Sequence, residues 1–235
     1  MDVTAVILCG GKGERLRPLT DVIPKPLVPL RGRPILRHLM DYLYASGIGR
    51  FILCVGYKAA LIEQFLQEHR GMGWQARCVD SGDAPMTVRL ADARPYIAGR
   101  ALVCYGDTLA NVNLSALLEE HESHTALATV TVYPLLSPYG IVDMNTSGQV
   151  TGFKEKPRLP YWINIGFLLL EPAALNMVSR DEDMPAYLER LAASGRMRAF
   201  RHEGKHLTVN TETERKLAEK EIVSFYTLPE QGEYE

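Results

Sequence analysis

Three glycines, Gly10, Gly11 and Gly13, come directly after the apolar run Val3 to Leu8, and Lys12, Arg15 and Lys25 lie among or just after them. Glycine lets a backbone turn sharply and come within contact distance of a ligand. The N–H groups of such a turn bind anions, and cationic side chains around it add charge-assisted contacts. The combination suits a polyphosphate. A second candidate is Asp107, which comes after the buried-looking run Ala101 to Tyr105 through Gly106. A carboxylate there can hold a hard cation together with phosphate oxygens, or simply cap a turn.

Spacing separates this loop from two common phosphate binders. A Walker A loop requires Gly-x-x-x-x-Gly-Lys followed by Ser or Thr, whereas Lys12 is followed by Gly13. A dinucleotide fingerprint requires a third small residue, and Leu16 stands there. The glycines alone are equally compatible with a tight strand-to-helix turn.

These residues need elements to position them. Val3 to Leu8, Phe51 to Val55, Ala76 to Val79 and Ala101 to Tyr105 are short apolar runs that predict buried strands. Between them Ile35, Leu36, Leu39, Met40 and Leu43 recur at helical spacing up to Gly47, and Ile62, Phe65 and Leu66 do the same. Alternation of strand and helix predicts a parallel sheet with right-handed crossovers, and ligands at the carboxyl ends of its strands. The loop Asp80 to Thr87 leaves a strand end and is expected on the same crevice, with a helix over 89–97 broken at Pro95. Farther on, the pattern predicts a helix over 114–124 and a strand over 125–133. A hairpin is expected around Asn145 to Gly148, then a long buried strand from Trp162 to Leu170. Helical patterns cover 172–178, 185–195 and 213–225, with a short strand over 206–209.

With 235 residues, 46% hydrophobic and 23% charged, the composition is that of an ordinary globular chain. No repeat or linker divides it, so one domain over 1–235 is expected, with two halves over 1–110 and 111–225. A net charge of −2 argues against a nucleic-acid binder. No apolar stretch approaches the roughly 20 residues of a membrane span, and the first residues break at Gly10, unlike a signal peptide. Cys9, Cys54, Cys78 and Cys104 show no Cys-x-x-Cys spacing, which suits free thiols in a reducing, cytoplasmic setting. The six histidines show no metal spacing. Of these, His38, His69, His121 and His124 are expected on helix surfaces.

The longer pattern is more specific than the glycines. Leu8-x-Gly10-Gly11-x-Gly13-x-Arg15-Leu16, then Pro18-Leu19-Thr20, then Pro24-Lys25-Pro26-Leu27, resembles the signature of the sugar-phosphate nucleotidylyltransferases. The resemblance implies a Rossmann-like three-layer α/β/α fold with a mixed, mainly parallel central sheet. It further implies transfer of a nucleotidyl group from an NTP to a sugar 1-phosphate, with Mg²⁺ as cofactor. By the same resemblance, Leu8, Gly10, Gly11, Gly13, Arg15, Ser81, Gly82 and Thr87 bind the nucleotide, and Arg15, Lys25 and Asp107 are catalytic. Tyr105-Gly106-Asp107 matches a metal motif. Its late partner is Val209-Asn210-Thr211, where Asn210 replaces an aspartate and offers a neutral oxygen. Asn210 could otherwise cap the last helix.

Glu155, Lys156, Asn164, Gly166, Tyr139 and Gly140 resemble the acceptor half of that site, although Glu155 and Lys156 alone read as a solvated pair. Within the family, Gly56-Tyr57-Lys58, Val79 to Asp83, Met86-Thr87, Arg89-Leu90 and Glu155-Lys156-Pro157 are similar to the glucose-1-phosphate cytidylyltransferase branch, which favours CTP. Val88 stands where that branch has paired glycines, and the chain is shorter between Cys54 and Asp80, so guanylyl and uridylyl transfer, to another sugar or a cyclitol phosphate, remain alternatives. The expected partners are an NTP and a sugar 1-phosphate, not nucleic acid or membrane, and a homo-oligomer is compatible with the sequence. A non-catalytic relative that binds nucleotide sugars would be expected to lose Arg15, Lys25 or Asp107. A glycosyltransferase would show Asp-x-Asp where Asp107-Thr108-Leu109 stands.

Overall fold

Val3 to Ile7 is buried throughout, and its side chains divide between two cores. Ala5 and Ile7 belong to one, Val6 to the other. That division repeats in Phe51 and Leu53 against Ile52 and Cys54, and in Phe167 and Leu169 against Leu168 and Leu170. A sheet apolar on both faces must be covered on both, which forces a three-layer arrangement.

The structure, a computed structural model, describes residues 2–225. The first half runs β1 (Val3–Leu8), α1 (Leu19–Val22), β2 (Pro29–Leu30), β3 (Arg33–Pro34), α2 (Ile35–Ala45), β4 (Arg50–Val55), α3 (Ala59–Glu68), β5 (Gln75–Asp80), α4 (Met86–Ala93) and β6 (Arg100–Tyr105). It continues through β7 (Thr108–Ala110), α5 (Leu114–Ser123), β8 (Ala128–Leu136), β9 (Ile141–Met144), β10 (Val150–Lys154) and β11 (Arg158–Leu170). The chain then forms α6 (Pro172–Leu175), α7 (Met184–Ala193), β12 (Met197–Arg201), β13 (His206–Thr208) and α8 (Glu212–Glu221). Seven strands form the central sheet in the order β12-β8-β11-β6-β1-β4-β5. β11 runs antiparallel to β6 and β8, and the other neighbours are parallel. This is the mixed, mainly parallel sheet that the family resemblance implies; the residue pattern alone predicts a parallel one, and β11 is the antiparallel exception. Helices α2, α3, α5 and α8 pack on one face, and α4, α6 and α7 on the other. Among the described residues no helix is long and apolar enough to cross a membrane.

Several boundaries differ from expectation. Helix α4 starts at Met86 rather than Arg89, straight after Pro85, and Pro95 limits its continuation to a 3-10 turn over Arg94–Tyr96. The long strand reaches back to Arg158, but only its second half, from Ile165, is buried. β12 escapes the apolar pattern because Arg198 and Arg201 interrupt it, a composition suited to a sheet edge. The pattern over 172–178 yields only the four residues of α6, and α8 ends at Glu221 before a 3-10 turn.

The histidines also depart from expectation. His38 and His121 are buried, not on helix surfaces, and each bonds inward: His38 Nε2 lies 3.1 Å from the Leu30 carbonyl and His121 Nδ1 2.8 Å from Thr129 Oγ1. Burial lowers the pKa of His38, His121 and His202, and brings that of His206 down to about 4. Unfolded, these imidazoles take up protons near pH ~6.5. The unfolded chain therefore binds more protons than the folded one between that pH and about 4, so stability falls as the pH drops through the window. The urea midpoint is expected to be lower at pH 5 than at pH 7.5, and His206→Phe should flatten part of that decline. A midpoint with the same pH dependence in the variant would contradict this assignment.

Candidate active site

Strands β1 and β6 lie side by side at the middle of the sheet, and both end at one crevice of about 800 Å³. Leu8, Gly10, Gly11, Gly13, Arg15, Lys25, Asp107 and Asn210 all line it. Gly13 adopts φ 64° and caps the 3-10 turn carrying Arg15, while Thr20 Oγ1 donates to its carbonyl at 2.9 Å. Tyr57 in turn donates to the Thr20 carbonyl at 2.9 Å, so the Pro18-Leu19-Thr20 segment pins the glycine loop to the end of β4.

Charge is concentrated at one point of this wall. Lys25 Nζ donates to Asp107 Oδ2 at 2.5 Å and to Asn210 Oδ1 at 2.8 Å, and Arg15 donates to the same Asn210 oxygen at 2.8 Å. Lys25 is only 8% exposed, so its ammonium is satisfied by two oxygens inside the wall rather than by water. Asn210 is oriented from behind: its N–H donates to Glu214 Oε2 at 2.5 Å, in the first turn of α8, whose N-cap is Thr211. The capping role thus falls to Thr211, and the Asn210 carboxamide is left for the crevice.

The sequence reading names Arg89 only within the branch resemblance and gives no role to this residue, which organises the crevice floor. Arg89 is 4% exposed and donates to three backbone carbonyls, those of Val55, Gly10 at 3.2 Å and Gly82 at 2.8 Å. These stand at the carboxyl ends of β4, β1 and β5. A buried guanidinium with no carboxylate partner must have its N–H groups satisfied by oxygens. A Cβ on Gly10 would overlap that guanidinium, which is why the position is glycine. At the mouth, Lys12 Nζ meets Asp83 Oδ2 at 2.6 Å, tying the glycine loop to the loop after β5. This exposed pair raises the lysine pKa and lowers that of the aspartate through their mutual hydrogen bond.

Three expected nucleotide contacts do not line the crevice. Because α4 begins at Met86, Thr87 turns inward, is fully buried and donates to the Glu182 carbonyl at 2.5 Å. Ser81 spends its hydroxyl on Asp92 at 2.7 Å, and Gly82 offers its carbonyl to Arg89. Met86 and the Asp183-Met184-Pro185 segment at the start of α7 take places on the wall instead.

The acceptor candidates form a separate group. Asn164 and Gly166 face Tyr105, a residue shared with the crevice wall. Gly166 has φ 77°, and a Cβ there would overlap the Tyr105 ring. Asn164 Oδ1 accepts from the Gly166 N–H at 2.8 Å. Tyr139, Gly140, Glu155 and Lys156 stand on and beside the β9–β10 hairpin, outside the crevice. Gly140 leaves only enough room for the Glu155 carboxylate and the Phe153 ring. Lys156 adopts φ 44°, a conformation that costs a non-glycine residue about 1–2 kcal/mol. Burial pushes the thiol of Cys9, which lines the crevice, well above its ordinary value, which disfavours a thiolate there.

Residues 4–212 match the family described as "Nucleotidyl transferase". The glucose-1-phosphate cytidylyltransferase of Salmonella typhimurium is 34% identical, over 85% of this chain and 88% of its own length. A mannose-1-phosphate guanylyltransferase from Mycobacterium tuberculosis is 33% identical over 77% of this chain, which spans about half (52%) of that longer protein. The crystal structure of HddC from Yersinia pseudotuberculosis superposes with a TM-score of 0.74 at 24% identity, covering 93% of this chain and 99% of that one, and shares the fold. The glycine loop, the Lys25 and Asp107 wall and the sheet that carries them agree with a match that spans nearly the whole described chain. The chain belongs to the nucleotidyl transferase family.

Proposed function

We propose that this protein joins an NTP to a sugar 1-phosphate, giving an NDP-sugar and pyrophosphate, and that CTP is its nucleotide. The observation that carries the reading is the convergence of Arg15 and Lys25 on the Asp107 and Asn210 oxygens, at the end of a glycine loop. A phosphate monoester is mostly dianionic at neutral pH, since its second pKa is about 6. The acceptor phosphate oxygen attacks the α-phosphorus, a new P–O bond forms, and the bond to the β-phosphate oxygen breaks to release pyrophosphate. No base is required, and the reaction becomes a matter of alignment and charge. Arg15 and Lys25 take the triphosphate charge, the glycine N–H groups cradle it, and Arg89 fixes the loops that shape the pocket. Lys156, Glu155, Asn164 and Tyr139 hold the acceptor, with Gly140 and Gly166 leaving space for it. The strained backbone of Lys156 supports a recognition role there.

The donor set suits Mg²⁺. Asp107 and Asn210 present hard oxygens that already converge on one cationic centre, the Lys25 ammonium. Among the described residues no cluster of three acidic, histidine or cysteine side chains could hold a metal, so phosphate and water oxygens would complete the shell. The ion would supply charge neutralisation on the triphosphate. The reading includes one catalytic domain with a nucleotide half and an acceptor half. It also includes a cytoplasmic setting, supported by four free cysteines whose thiols burial pushes up, to about 12 for Cys54 and Cys78. CTP is favoured by the 34% identical cytidylyltransferase, and GTP is the second reading because of the guanylyltransferase.

Pyrophosphate release from a panel of the four common NTPs with several sugar 1-phosphates tests the reaction, and release from none would refute it. Calorimetry with CTP and GTP tests the base: GTP binding tenfold tighter, about 1.4 kcal/mol, would replace the cytidylyl assignment while keeping the transferase. Arg15→Ala should lower turnover by about 10²–10³ with an unchanged urea midpoint, the usual effect of removing one charge-stabilising donor. Near-normal turnover in that variant would remove Arg15 from the mechanism. For the metal, EDTA should abolish activity. Asp107→Ala should stay inactive at high Mg²⁺, whereas Asn210→Ala should recover in part; equal rates in EDTA and Mg²⁺ would rule the ion out.

A further inference from the structure

β11 enters the core only at Ile165, and its first half lies exposed next to β8. Side chains alternate along a strand, so Trp162 shares a face with Asn164. Val132 of β8 pairs with Asn164, and Arg201 of β12 pairs with Val132, which puts Arg201 on that face as well. Asn164 and Gly166 mark where this face meets the crevice, since both lie against Tyr105. Arg158, Asn164 and Arg201 are all exposed, so among the described residues no helix covers this end of the sheet.

On this open shelf the Trp162 indole is flanked by two guanidinium groups. The Arg158 Cζ lies 4.8 Å from the ring centroid and the Arg201 Cζ 5.1 Å. Arg158 has one carboxylate neighbour, Glu203 at 3.4 Å, with both side chains largely exposed. Arg201 has no carboxylate partner among the described residues. One arginine is enough to stack on a half-buried indole; a second adds like-charge repulsion and leaves positive charge uncompensated. Guanidinium forks held by an aromatic plane are pre-organised to grip a carboxylate or a phosphate through paired N–H donors. Lys156, two residues before Arg158, is among the residues proposed above to hold the acceptor.

We propose that Arg158 and Arg201, braced by Trp162, form a second anion-recognition point on the acceptor shelf, so that the preferred acceptor is a sugar 1-phosphate bearing a further acidic group away from C1. The proposal rests on the reading of Lys156 and Asn164 as acceptor contacts. The two guanidinium forks serve a phosphate or a carboxylate equally as that further group.

The chain has two tryptophans, so Trp74→Phe leaves Trp162 as the sole indole reporter. In that background, with α,β-methylene CTP or GTP present in turn, fluorescence titrations compare glucose 1-phosphate, glucose 1,6-bisphosphate and glucuronic acid 1-phosphate. At least one diacidic ligand is expected to change Trp162 emission and to bind about tenfold tighter than glucose 1-phosphate, the scale of one charge-assisted pair. Whichever of the two binds tighter distinguishes phosphate from carboxylate. The gap should vanish in Arg201→Gln and Arg158→Gln and return in part in Arg201→Lys, which a purely structural stacking role would not produce. Equal affinity for all three ligands, or an unchanged gap in Arg201→Gln, would overturn the proposal. An intact gap without pyrophosphate release from any NTP would refute the transferase reading while upholding this anion site.

Discussion

The crevice depends on keeping positive charge in a wall before any anion is there to balance it. Lys25 is nearly buried, and an isolated ammonium in that position would be costly. Asp107 and Asn210 supply two oxygens at hydrogen-bond distance, and Asn210 serves Arg15 as well. Using a carboxamide for one of the two oxygens matters. A second carboxylate would bring two full negative charges against the two cations and leave no net positive charge for a polyphosphate. With Asn210, the group of four keeps one net positive charge while the buried ammonium still has its two acceptors.

Arg89 solves a different problem on the floor of the same crevice. The loops after β1, β4 and β5 each present a carbonyl to it, and one planar cation serves all three. Its N–H groups radiate in fixed directions, so the loops are held at set spacings rather than merely neutralised. The clasp between Lys12 and Asp83 adds a connection at the surface, where solvent makes it weak. The buried tie at the base of the crevice thus joins three strand ends, and the exposed tie at its mouth only two loops.

Local chemistry is the legible part of the sequence. The glycine loop, Arg15 and Lys25 sit close together in the chain, and their spacing carries both the family resemblance and their place on the wall. The alternation of apolar strands and amphipathic helices carries the layered fold. Arg89 is hidden because its partners lie 7, 34 and 79 residues away and are backbone atoms, which leave no mark on sequence. Thr87 escapes the crevice because a helix starting three residues earlier than expected rotates every side chain in its first turn. His121 is recoverable: it comes after Leu114 and Leu117 on the buried stripe of α5, and only its polarity argues for the surface. β12 is not, since an edge strand with two arginines lacks the apolar run that marks a central one.

β11 runs from the exposed shelf into the core. Its last residues sit between β6 and β8 in the core, while Asn164 and Trp162 stand on the shelf. Because side chains alternate with a period of two, inserting or deleting one residue between Trp162 and Asn164, where the pairing with β8 is regular, would send Trp162 to the face opposite Asn164 without disturbing the buried end. Length is thus constrained over that short stretch, whereas the register shifts on either side, between Arg158 and Trp162 and between Asn164 and Leu168, already absorb extra residues. Substitution is therefore the route by which the residues at 162 and 164 can change while the pairing with β8 is kept.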